Sequence, residues 1–103
     1  MVVQWTDESL NHIASIYAYI AKDSPYHAGL FTDALMDSVE KQLCISTTIG
    51  HELPNGNNPN LRRLVYRDYV IIYHIIDSCI YIKLVEHGSR EMTQKRIEKL
   101  LEI

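Results

Sequence analysis

A chain of 103 residues, 47% hydrophobic and 22% charged, with a net charge of −3, can bury a core around one sheet and a few helices and little more, so residues 1–103 are expected to form a single domain. No stretch approaches the roughly 18 apolar residues of a membrane span. The start MVVQWTDES lacks the basic and long apolar regions of a secretory signal, and two cysteines are too few for a disulfide framework, so a cytoplasmic location with reduced thiols is expected.

The charge is unevenly spread. Residues 1–60 hold two basic and seven acidic side chains, against eight and six in residues 61–103. The second half is therefore mildly basic, but it has no dense Lys/Arg run of the kind that marks a nucleic-acid binder.

Taken in chain order, Val2, Val3 and Trp5 suit a short edge strand. Thr6 reads as an N-cap, with Asp7 and Glu8 complementing the dipole of a helix over about residues 7–22. Leu10, Ile13, Ala14, Tyr17, Ile20 and Ala21 give that helix an apolar stripe. Ser24 and Pro25 suit the cap and first position of a second helix, whose apolar side carries Ala28, Phe31, Leu35, Val39 and Leu43 and which ends around Ser46 to Gly50. Residues 51–60, rich in Pro, Gly and Asn, read as an exposed loop.

From Leu61 the pattern changes to β-branched and aromatic residues. Strands are expected over residues 61–66, 69–76 and 79–87, with tight connections at Arg67-Asp68 and Asp77-Ser78. Residues 69–76 are apolar on both faces and should form the central strand. Strict alternation in the last strand would put Ile80, Ile82 and Leu84 on one face, and Tyr81, Lys83, Val85 and His87 on the other. Met92, Arg96, Ile97, Leu100 and Leu101 predict a closing amphipathic helix that must dock to persist, either on this chain's sheet or on another protein. The order β-α-α-β-β-β-α implies an α+β fold with an antiparallel sheet.

Four segments, WTDESL, YIAKDSPYHA, LRRLVYRDYVIIYHI and IYIKLVEHGSR, together resemble the RelE/ParE superfamily of type II toxins, most closely its ParE or plasmid-stabilisation branch. The resemblance covers residues 2–90 and leaves 91–103 as a helical tail. It implies a helix hairpin packed on a small antiparallel sheet and a cognate antitoxin that neutralises the toxin. It also implies contact with promoter DNA only through that antitoxin, and it leaves open a homodimer or a heterotetramer with the antitoxin. The ParE branch inhibits DNA gyrase by protein contact. The RelE branch instead cleaves mRNA on the ribosome.

Metal-free RNA cleavage needs a base, an acid and cations around one phosphate. Arg63, Lys83, His87 and Arg90 are the candidates, and His87 is the one with a natural pKa near neutrality. RelE nucleases usually carry a Tyr in the tail, but no aromatic follows residue 87 here. The resemblance therefore favours a gyrase inhibitor over a ribosome-dependent nuclease, with a non-toxic interaction module of the same fold as a further alternative. Arg62, Arg63, His87, Arg90, Tyr19 and Tyr26 are the expected target or partner contacts, while Tyr17 fits the core stripe. His74 reads as a hydrogen-bonded core residue, and Cys44 and Cys79 as small core residues. His12, His27 and His51 have no ligand spacing, and no nucleotide-binding or serine-hydrolase motif occurs, so neither metal nor cofactor is expected.

Overall fold

Thr6 separates a short strand, β1 (Val2–Trp5), from the first helix, α1 (Asp7–Ala21). Its hydroxyl oxygen accepts from the Ser9 amide at 3.1 Å and donates to the Ile82 carbonyl at 2.7 Å, so the residue that caps the helix also ties it to the sheet. Ser24 repeats the capping for α2 (Pro25–Ile45), accepting from the His27 amide at 3.2 Å, with Pro25 at a position where no N–H is needed. This computed structural model describes residues 1–53, 58–88 and 93–102. Its remaining elements are β2 (His51–Glu52), β3 (Leu61–Tyr66), β4 (Tyr69–Ile76), β5 (Cys79–His87) and α3 (Gln94–Leu101).

The five strands lie in the order β1-β5-β4-β3-β2, with β4 at the centre as its two apolar faces require. The α+β class is as expected, but the sheet is mixed: β1 runs parallel to β5, pairing Val2 with Cys79 and Trp5 with Ile82. Three apolar residues in a run of four specify a strand without specifying its neighbour's direction. The short β2 is a second departure, within the stretch expected to be all loop. His51 pairs with Arg63 and Glu52 with Arg62, and Leu53 beyond them is buried.

Tyr69, Ile71, Tyr73 and Ile75 of β4 pack toward Ile13, Ile16, Leu35, Val39 and Leu43 of the helix hairpin. On the other face Ile72 joins Leu53, Leu61, Leu84 and Ile97, with Leu100 and Leu101 at the margin, so α3 docks on the chain's own sheet. Two bonds from one Arg96 nitrogen to the Glu86 carboxylate, at 2.5 and 2.6 Å, pin the helix there.

Some expected core residues lie outside. The buried side of α1 is Ser9, Ile13 and Ile16, with Ile20 packed beside them, whereas Leu10 and Tyr17 are exposed. This helix carries two overlapping apolar stripes about one residue, or roughly 100°, apart, and Ser9 sits on the inner one because its hydroxyl bonds back to the Thr6 carbonyl at 2.8 Å. Cys44 is exposed and Cys79 only partly covered. On α2 the inward register is Leu35, Val39 and Leu43, which turns Cys44 away.

Candidate functional site

Alternation fails in β5, and the failure relocates a candidate side chain. Ile72 pairs with Leu84 and Tyr73 with Ile82, so Lys83 is an extra residue at a β-bulge. Before the bulge Ile80 and Ile82 face the helix hairpin. After it Val85 joins the same core while Leu84 faces α3. Lys83 is therefore not on one regular face with Val85 and His87. It is only 6% exposed and lines a pocket of about 500 Å³ between α1, β5 and α3. Its ammonium stands 5.9 Å from the centroid of the Tyr81 ring. Burial lowers its pKa, and the charge of Glu8 only partly opposes this.

Arg63 and His87 line a different, shallow pocket together with Val65, Arg67, Asp68 and Gly88. Arg63 is on the same sheet face as Leu61 and Val65, set by its pairing with Ile72. His87 pairs with Tyr69 and meets its ring edge-on at 5.8 Å, and Tyr69 in turn leans on Phe31. The Gly88 amide donates to the Asp68 carbonyl at 2.8 Å, closing the end of the β4–β5 ladder. With Val65 exposed and the Arg67 guanidinium 5.8 Å from the Tyr66 ring, this patch is basic around an apolar centre.

Arg62 points to the other face. Its side chain donates to the carbonyls of Pro59 and Gly50, both at 2.8 Å, and so braces the connection between α2 and β3. Beside it Tyr73 donates to the Thr47 carbonyl and accepts from the Gly50 amide, each at 2.9 Å. A Cβ on Gly50 would lie 2.6 Å from the Arg63 carbonyl oxygen and 2.7 Å from the Tyr73 hydroxyl, which is why glycine stands there.

Tyr19 and Tyr26 are 70% and 72% exposed near the turn of the helix hairpin. Arg90 lies outside the described residues. Among those described, no group of three or more His, Cys, Asp or Glu side chains could hold a metal ion, and no helix is long and apolar enough to cross a membrane. His12 and Glu8 gave no sequence signal as site residues, since it takes the bulge and the docking of α3 to bring them beside Lys83.

A helix hairpin thus covers one face of a small mixed sheet, and Arg63, Arg67 and His87 gather around one shallow pocket. A family model described as the ParE toxin of the type II toxin-antitoxin system parDE matches residues 3–92. The chain belongs to that family, which implies a cognate antitoxin. The chromosomal ParDE toxin-antitoxin structure from P. aeruginosa is similar over 84% of this chain and 95% of its own, with a TM-score of 0.69 and 20% identity. At that identity the likeness speaks for the fold. No curated protein matches in sequence.

Proposed function

We propose that this chain is a growth-inhibiting toxin that acts by binding DNA gyrase and is neutralised by its antitoxin. The observation that carries this reading over mRNA cleavage is the separation of the cationic groups. Acid–base cleavage needs its base, acid and charge-stabilising cations around one phosphate. Lys83 lines one pocket, Arg63 and His87 line another, and the two pockets share no residue. Arg62 is occupied with backbone carbonyls. An arginine-rimmed patch with an apolar centre suits a protein contact, because arginine and apolar anchors are typical of such surfaces.

Purified protein is then expected to inhibit gyrase supercoiling or to accumulate gyrase-dependent DNA breaks, and to leave ribosome-bound message intact. Replacing Arg63 by Ala should weaken gyrase inhibition by about tenfold or more, the usual scale for a central interface arginine. Mapping mRNA 5′ ends during in vitro translation supplies the opposing outcome. Codon-specific cuts that vanish in His87→Ala or Arg90→Ala would make this chain a nuclease instead.

A further inference from the structure

We propose that the pocket between α1, β5 and α3 binds a small organic acid, a single carboxylate on an apolar body, held by the Lys83 ammonium and the His12 imidazole. Lys83 is 94% buried by its 6% exposure, and among the described residues no carboxylate comes within ion-pair distance of it. A buried ammonium without a counterion is costly to keep, and a bound anion would remove that cost. Its lowered pKa has the same origin in burial.

His12 supplies the second donor for a reason internal to the fold. β1 ends where Trp5 pairs with Ile82, so the outer edge of β5 beyond that point has no neighbouring strand. The Val85 amide there donates to His12 Nδ1 at 3.2 Å. Neutral His12 consequently carries its proton on Nε2, on a side chain that lines the same pocket as Lys83.

The charge of the lining defines the class of ligand. Lys83, Arg96 and Lys99 are balanced by Glu8, Glu86 and Glu102, and Arg96 and Glu86 already bond each other. With the lining neutral overall, a single carboxylate placed at the Lys83 ammonium meets less repulsion from the three glutamates than a phosphate dianion or a nucleic-acid backbone would. Leu84 and Leu100 offer apolar wall to the body of the acid, and about 500 Å³ is the size of an ordinary small-molecule site. The gyrase-contact patch shares no lining residue with this pocket, so the two readings stand or fall separately.

The test is NMR titration of the isotope-labelled full chain with benzoate, with benzamide and inorganic phosphate as controls. Benzoate should give saturable shifts at Lys83, His12 and Leu100, leave Arg63 unmoved, and raise the titration midpoint of the Lys83 amine. Benzamide and phosphate should bind at least about tenfold more weakly, as should benzoate to Lys83→Met, because a hydrogen bond to a charged group is worth that much or more. Equal binding of benzoate and benzamide, full affinity in Lys83→Met, or no saturation below about 10 mM would overturn the proposal. Should Lys83→Met fail to fold, the wild-type amine decides: a midpoint unmoved by excess benzoate sinks the idea.

Discussion

Tyr73 shows how one hydroxyl can hold an irregular connection. Buried completely, it joins the Thr47 carbonyl to the Gly50 amide, so Tyr73→Phe leaves two backbone groups without their partner. The expected loss is about 1–3 kcal/mol, read from urea unfolding. Gly50→Ala should cost at least as much, since its Cβ meets backbone on one side and the Tyr73 ring on the other. His74 gives a pH dependence whose sign follows from its bonds. Asn58 accepts the Asn60 amide on its oxygen and so presents its NH₂ to His74 Nε2 at 3.3 Å. The neutral ring therefore carries its proton on Nδ1, which has no partner among the described residues. Burial first, and the charge of Lys83 second, lower the His74 pKa from 6.5. The unfolded chain takes up this proton as pH falls through 6.5 while the folded chain resists. The contribution of His74 is thus complete above pH 6.5 and is lost as pH falls toward the folded value. Urea midpoints at pH 7.5 and 5 should fall less in His74→Leu than in wild type, and parallel profiles would remove His74 as the cause.

Among the elements, α3 is the one whose existence depends most on the rest of the chain. Eight residues cannot hold a helix alone in water. Ile97, only 2% exposed against Leu61, Ile72 and Leu84, supplies the contact, and the Thr93 cap and the Arg96 to Glu86 pair fix its end and its angle. Ile97→Ala should cost about 2–4 kcal/mol. Truncation before Thr93 should lower Tm without changing the oligomeric state measured by light scattering; loss of a dimer at unchanged monomer stability would instead make α3 an interface. The β5 bulge admits a prediction of opposite sign. Lys83→Met replaces a buried charge with an apolar chain of similar length, and it should raise the urea midpoint.

For the molecule as a whole, the outer stripe of α1 and the tip of the helix hairpin remain to be covered. Leu10, Tyr17, Tyr19, Tyr26 and Leu30 are all exposed, an apolar surface of the kind an amphipathic partner helix occupies. Coexpression with the cognate antitoxin should therefore raise solubility and slow proteolysis, and equal behaviour alone would argue against antitoxin docking there. The elements themselves were legible in the residues because their signals are local: Thr6 and Ser24 as caps, the helical spacing from Ala28 to Leu43, and the two-sided apolar run from Tyr69 to Ile76. The ParE likeness was carried by the same stretches. What local pattern cannot encode is pairing. Whether Val2 to Trp5 runs parallel to its neighbour, whether His51-Glu52 joins β3, and which of two stripes on α1 turns inward each depend on residues distant in the chain. The bulge at Lys83 is the clearest case, since strict alternation read along β5 alone would set Lys83 beside Val85 and His87. Only the register against β4, which leaves Lys83 with no residue opposite, moves it to the pocket with His12, because a strand's faces are fixed by its hydrogen-bonded neighbour.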